Sequence, residues 1–182
     1  MEKLLLCLKR SLMLTVLALC LAGCMGVPDG ARPVQGFDLE SYLGKWYEIA
    51  RLDHSFERGL SDVTAEYSLR DDGGVKVVNR GFESDHNKWK DAEGKAYFVE
   101  DTSTGKLKVS FFGPFYGAYN VIALDQEAYQ WSMVVGPNTD YLWILSRTPV
   151  LDQAVIDRLL SEAESLGFNT EELIFVNQER NQ

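Results

Sequence analysis

Between residues 45 and 147 the sequence repeats one pattern eight times, a run of five to eight residues rich in β-branched and aromatic side chains followed by turn-forming residues. The runs are Lys45–Leu52, Val63–Leu69, Val75–Phe82, Ala96–Glu100, Leu107–Phe112, Ala118–Leu124, Tyr129–Val135 and Tyr141–Arg147. Their separators are turn chemistry: Asp71-Asp72-Gly73-Gly74, Ser84-Asp85-His86-Asn87, Ser103-Thr104-Gly105, Gly113-Pro114, Asp125-Gln126-Glu127 and Gly136-Pro137-Asn138. Links this short join antiparallel neighbours, and eight such strands bury their edges most simply by closing on themselves. The predicted fold is all-β, an eight-stranded antiparallel up-and-down β-barrel.

One link is longer. Asp53–Ser61 joins the first two strands and is expected to cover the open mouth as a loop. Before the strands, Phe37–Leu43 has Asp38 as a candidate N-cap and predicts a short helix plugging one end. After them, Leu151–Leu166 sets Val155, Leu159, Leu160, Ala163 and Leu166 on one face, between Asp152 as N-cap and Gly167 as C-cap. That is a C-terminal α-helix packed outside the barrel. Glu172–Asn177 reads as a last, short edge strand.

The stretches GKWYEIAR and YLWILSRTP form the ends of the pattern. If the first and last strands meet, Arg147 lies over Trp46 and seals one end, an interaction worth roughly 0.5–2 kcal/mol. FFGPFYGAYNVIAL is apolar on both faces, which demands apolar material inside the barrel and further packing outside it.

The N-terminus is of a different kind. Lys3, Lys9 and Arg10 precede an apolar run from Ser11 to Ala22, and Leu21-Ala22-Gly23-Cys24 follows, the layout of a cleavable leader too short for a comfortable membrane span. Cys7 and Cys20 lie within that leader, so cleavage leaves Cys24 as the single thiol, at the first position. The L-A-G-C spacing resembles the bacterial lipoprotein box, which implies acylation of Cys24 and a tether rather than a span. With Met25 and no Asp after the cysteine, it resembles lipoproteins passed on to the outer membrane. An ordinary secretory signal with an incidental cysteine is the alternative. Residues 1–23 are thus expected as a lipoprotein signal peptide, 24–36, with Pro28, Gly30, Pro33 and Gly36, as a flexible tether, and 37–182 as the folded domain.

The whole chain carries −9; Lys3, Lys9 and Arg10 against Glu2 give the leader +2, so the remainder carries −11. That charge repels phosphate backbones, no basic stripe with interleaved aromatics opposes it, and nucleic-acid binding is not expected.

Taken together, the two end stretches, the meander between them and the helix after them resemble the lipocalin family. HSFERG, YSLRDDGG, EGKAY, KVSFFGPFYG, YNVIALD and DYLWILSRTP are similar to bacterial outer-membrane lipocalins, the branch related to apolipoprotein D and the plant temperature-induced lipocalins. The resemblance covers essentially all of the chain after the leader. The family's structural signature matches at Gly44 and Trp46 and at Arg147; its second region, usually Thr-Asp-Tyr, reads Leu124-Asp125-Gln126 here and keeps only Asp125. A literal Thr139-Asp140-Tyr141 occurs one hairpin later, outside the signature's place.

The family register implies an inward set that alternation alone does not settle: Glu48, Ala65, Tyr67, Val77, Asn79, Phe98, Val109, Phe111, Tyr119, Val121, Ser132, Tyr141 and Trp143 as ligand-binding candidates, with Ala50, Ala96, Leu107 and Val134 on the same side. Such a calyx suits an elongated amphiphile, its chain buried and its head group near water. Glu48 inside needs a partner, for which tyrosine or asparagine groups are expected. Of the histidines, His54 and His86, neither has a sequence setting for catalysis or for a metal or haem, and His54 is expected to be a solvated loop residue. No catalytic site, cofactor or metal is expected. The implied function is a membrane-tethered lipocalin that binds, stores or transports fatty acids or lysophospholipids at the periplasmic face of the outer membrane. A structural or stress-response envelope lipoprotein with a largely filled barrel is the alternative, and Phe115, Tyr116 and Trp131 suggest a homodimer face.

Overall fold

The computed structural model describes residues 25–181, so Cys7, Cys20 and Cys24 and the leader lie outside the described residues. The strands are β1 (Gly44–Arg51), β2 (Leu60–Leu69), β3 (Val75–Glu83), β4 (Lys88–Phe98), β5 (Lys106–Phe112), β6 (Phe115–Leu124), β7 (Trp131–Val135), β8 (Leu142–Ser146) and β9 (Ile174–Phe175). Helix α1 (Leu39–Tyr42) precedes β1 and α2 (Gln153–Ser165) follows β8. Each of the first seven strands pairs antiparallel with the next, and β8 returns to β1. The expected barrel is therefore closed. β2 pairs with β1 only over Gly44–Tyr47, and β9 covers the edge left free above it at Ala50 and Arg51.

The start of β1 defines the closed end, with α1, the ends of β2 and β4 and the start of β5. Asp38 caps α1 as expected, its carboxylate accepting from the amides of Glu40 and Ser41. The mouth is ringed by the loops after β1, β3, β5 and β7.

Two apolar layers share the wall. Inside lie Tyr67, Val75, Val77, Ala96, Leu107, Val121, Val134 and Leu145, closed below by Phe37 and Tyr42. Outside, α2 lays Ile156, Leu159 and Ala163 over Ile49, Ile122, Met133, Leu142 and Ile144. Ile156, absent from the expected helix face, is buried, whereas Val155 and Leu160 are partly covered. Elsewhere the outer face is ionic: Lys76 pairs with Glu93 at 2.8 Å, Arg80 with Asp91 at 3.5 Å and Lys106 with Glu100 at 2.6 Å. A barrel with charges outside and apolar side chains within is the inverse of one that faces lipid.

Three expectations need correction. β4 begins at Lys88, not Ala96, because its first half pairs fully with β3 through the backbone while its side chains stay charged and exposed. The last strand shrinks to Ile174–Phe175 behind a 3₁₀ turn at Thr170–Glu172. Residues 25–36 are no free spacer: the amide of Val34 donates to Val121 O at 2.9 Å, Gly105 N donates to Val34 O at 2.9 Å, and the Asn120 side-chain amide donates to Gly26 O at 3.0 Å. The open edges of β5 and β6 at that point give the segment backbone partners that its Pro and Gly content conceals.

At the closed end the Arg147 guanidinium stands 3.9 Å from the centroid of the fully buried Trp46 ring. Its three nitrogens donate to backbone oxygens of Ser41 (2.7 Å), Lys45 (2.8 Å) and Tyr129 (3.2 Å), and the Trp46 indole donates to Tyr42 O at 2.8 Å. Gly44 sits at φ +90°, a conformation that costs glycine least, and a Cβ there would lie 3.5 Å from that guanidinium. Replacing Arg147 by Met loses the stacking and strands three carbonyls, so it is expected to cost about 2–4 kcal/mol in urea unfolding. Arg147→Lys should recover less than half, since an ammonium lacks the planar fork; a loss below about 0.5 kcal/mol in either variant would contradict this role for the side chain.

Candidate ligand-binding site

The inner wall is graded along the barrel axis. At the floor, Tyr67, Val77, Val109 and Tyr119 from the expected set line a cavity of about 10 Å³, together with Phe37, Leu39, Tyr42, Val75, Ala96 and Leu107. That is space for about one water molecule, far short of the roughly 300–1,000 Å³ of a typical ligand pocket. Above the floor, Ala65, Phe111 and Trp143 are partly buried against the same cluster, in which Val121 is fully buried, whereas Phe98, the last residue of β4, lies at the closed end with its ring 6.1 Å from that of Phe37. Gly94 faces Phe111 so closely that a Cβ would lie 2.9 Å from the ring, and its absence lets that ring cross the calyx. Asn79 sits half-buried beside Ala65 and Ala92. Tyr141 lies just before β8, stacked on Trp143 at 6.2 Å.

A hydroxyl chain crosses the floor. Tyr119 Oη lies 2.8 Å from both Tyr42 Oη and Tyr67 Oη, and Tyr42 Oη is 3.3 Å from the Ser132 hydroxyl. Burial pushes the Tyr42 phenol up to about 12 and holds those of Tyr67 and Tyr119 well above their usual value. All three stay neutral donors across the physiological range.

The upper wall is charged, and one extra residue in β1 makes it so. Glu48 pairs with Leu145 but Ala50 with Ile144, a bulge that reverses the alternation. Ala50 therefore packs outward beneath α2, contrary to expectation, and Arg51 turns inward opposite Trp143. Arg51 is 1% exposed. Its guanidinium donates to Glu48 Oε1 at 2.6 Å and to the backbone oxygens of Glu57 (3.0 Å) and Leu60 (3.1 Å), leaving its Nε buried without a partner. Glu48 is thus satisfied by an arginine, not by the tyrosine or asparagine expected.

The mouth loop completes the cluster. Trp143 Nε1 donates to Glu57 Oε2 at 3.0 Å, and His54 Nε2 contacts the same oxygen at 2.9 Å without good hydrogen-bond alignment. His54 is buried, stacked on Phe56 at 3.8 Å and 5.1 Å from the Trp143 ring, which corrects the expectation of a solvated residue. Nothing in the alternation pointed to Arg51, His54 or Glu57; the cue available was a loop that places Glu57 and an aromatic beside a histidine.

Burial raises the Glu48 carboxyl well above its ordinary value, reinforced by the nearby Glu57 charge and opposed by Arg51. Burial also acts to raise Glu57, but the contacts from His54 and Trp143 outweigh it and leave it below the usual range. The two carboxyls share one site with opposite shifts.

Asp125 keeps a structural place: it accepts from the amides of Ala128 (3.4 Å) and Gln130 (3.2 Å) and holds the β6–β7 turn. Trp131 lies at the closed end beneath Arg158, 4.5 Å away, while Phe115 lies at the mouth, so the two share no face.

A group with a raised folded pKa contributes most below its unfolded pKa and progressively less above it, so Glu48 weighs against folding as the pH climbs above about 4.5. Glu48→Gln, which fixes the neutral form, is therefore expected to be more favourable relative to the parent at pH 7 than at pH 4.5 in parallel urea titrations. An equal or reversed difference would show that Glu48 is ionised without penalty. Glu48→Ala strands the Arg51 guanidinium and should cost about 3–5 kcal/mol.

The graded cup has counterparts in known proteins. Residues 37–178 match the family model described as a lipocalin-like domain. The chain is 54% identical over 170 residues to the outer membrane lipoprotein Blc of Vibrio cholerae, covering 93% of this chain and 99% of that protein, and 35% identical over 176 residues to apolipoprotein D of Bos taurus, covering 87% and 91%. Insecticyanin from Manduca sexta superposes with a TM-score of 0.67 at 25% identity, over 84% of this chain and 86% of that one. Barrel closure, the Arg147 stack and these likenesses across nearly the whole chain agree that it belongs to the lipocalin family.

Proposed function

We propose that this lipocalin binds an acyl-chain lipid, a fatty acid or a lysophospholipid, and stores or transports it at the periplasmic face of the outer membrane, held there by an acylated Cys24. The observation that carries the reading is the polarity gradient of the inner wall, from the apolar floor at Val77, Leu107 and Val109 to buried Arg51, Glu48 and Glu57 toward the mouth. An amphiphile with its chain down and its oxygen-bearing head beside Arg51 matches that gradient. The relatives named outer membrane lipoprotein support the location, and the L-A-G-C sequence supports the anchor. The site works by binding: its histidine, carboxyls and arginine are engaged with one another and flank no nucleophile.

Entry of a chain requires the half-buried rings of Phe111 and Trp143 to move, because the floor cavity is only about 10 Å³. That small volume favours a second reading, an envelope lipoprotein whose filled barrel has a structural role. Mass spectrometry of the protein after native purification separates the two. The lipid-binding reading expects stoichiometric co-purifying fatty acid or lysophospholipid, and a Val109→Trp variant that still melts cooperatively should retain at least about tenfold less, since the added ring occupies the floor. Lipid-free parent protein that also fails to take up added lysophospholipid would favour the filled barrel.

A further inference from the structure

The exposed large apolar side chains are unevenly distributed over the two ends of the barrel. Phe112 and Phe115 flank the β5–β6 turn at the mouth and are 80% and 78% exposed, and Phe56 on the loop after β1 is 59% exposed. Leu69, Val99 and Val150, at the closed end, are smaller and aliphatic. Phe112 and Phe115 are cross-strand partners on either side of Gly113-Pro114, so the turn presents both rings from one tip. Rings held this way on a tight hairpin are costly in water and suited to the apolar boundary of a bilayer.

The path of the N-terminal segment says which surface covers them. One side-chain amide, Asn120 Nδ2, donates both to Gly26 O at 3.0 Å and to Gly136 O at 3.2 Å. Gly136 opens the β7–β8 loop, one of the loops that ring the mouth, so the chain starts its course along the barrel beside that rim and descends from there to Phe37 at the closed end. Cys24 is two residues upstream of Gly26, within about 7 Å of chain. A spacer that was free through residue 36 would leave the barrel able to present any side. One pinned from Gly26 onward ties the anchor to the mouth.

We propose that the calyx mouth is a membrane-docking face, on which Phe112 and Phe115, with Phe56, seat in the interfacial layer of the bilayer that holds the acylated Cys24. The inference rests on the anchor in the function proposed above and adds the orientation: the open end faces the lipid and the closed end, with Arg147, faces away. A net charge of −11 after the leader does not oppose this contact on a bilayer rich in zwitterionic phosphatidylethanolamine, because the contact is apolar. A ligand then passes between bilayer and calyx across the rim alone. The head-group cluster of Arg51, Glu48 and Glu57 lies just inside it.

The test uses the processed, full-length lipoprotein reconstituted in vesicles of phosphatidylethanolamine and phosphatidylglycerol. Acylation occupies the Cys24 thiol, so Phe115→Cys and Leu69→Cys each offer one site for an environment-sensitive dye. The dye at 115 is expected to shift to shorter wavelength on reconstitution and to lose most of its intensity to brominated lipid, while the dye at 69 keeps its aqueous spectrum. A dye at 115 that remains aqueous, or stronger lipid quenching at 69 than at 115, overturns the docking face. A dye at 115 that shifts without bromolipid quenching and cross-links to a second chain assigns the rings to a dimer and also overturns it. Phe112→Ser with Phe115→Ser, in the Leu69→Cys protein, should leave the fold intact and raise exchange of the lipoprotein between vesicles, whereas Val150→Ser should leave exchange unchanged. Mass spectrometry of the same preparation reads the anchor independently: a chain without acyl groups overturns the tether and the orientation together, and an acylated chain with a wet mouth overturns the orientation alone.

Discussion

The closed end of the barrel depends on one guanidinium. Arg147 ties the end of β8 to residues up to 106 positions away: its nitrogens reach carbonyls of α1, of β1 and of the turn before β7, and its face covers Trp46. Tyr42 stacks on that indole at 4.8 Å and carries its own hydroxyl into the floor network with Tyr119 and Ser132. The position of the floor is therefore inherited from the clamp. Tyr129 adds a second tie, its hydroxyl accepting from the Asp38 amide at 2.9 Å, so the α1 plug is fastened to the same turn that Asp125 organises.

Above the clamp, the character of the calyx is decided by backbone register. Without the bulge after Glu48, Arg51 would point at α2 and Ala50 would line the cup, leaving the inward Glu48 without its arginine. With it, a buried arginine stands beneath the mouth loop and holds it through the carbonyls of Glu57 and Leu60. The loop and the charged site are one structure: moving the loop breaks the Glu57 contacts to Trp143 and Arg51 and hydrates Glu48 and Arg51 together. Opening of the mouth and solvation of the head-group cluster are the same event.

The sequence made the barrel readable because turn residues recur at hairpin spacing and because Trp46 and Arg147 sit in strong, short strands. Most of the inward set followed from the family register. Its failures have a common cause. A bulge inserts one residue without leaving a mark in hydropathy, so Ala50 and Arg51 exchanged sides; a strand whose side chains are mostly exposed, as β4 is over Lys88–Glu93, lacks the alternation that betrays others; and Pro-rich residues 25–36 pair through backbone atoms that side-chain chemistry does not report. His54 looked solvated because loops usually are, and it is buried because Phe56, Tyr141 and Trp143 gather around it. The floor was legible as a surface but its volume was not, since a cup and a plug use the same residues.

The most direct test of the graded calyx is a crystal structure with a fatty acid brominated at its methyl end. An anomalous bromine peak is expected among Tyr67, Val77, Val109 and Tyr119, with the rings of Phe111 and Trp143 moved aside and the carboxylate within hydrogen-bond reach of Arg51. A bromine peak outside the barrel, or at the mouth beside Arg51 with the floor unchanged, would contradict it.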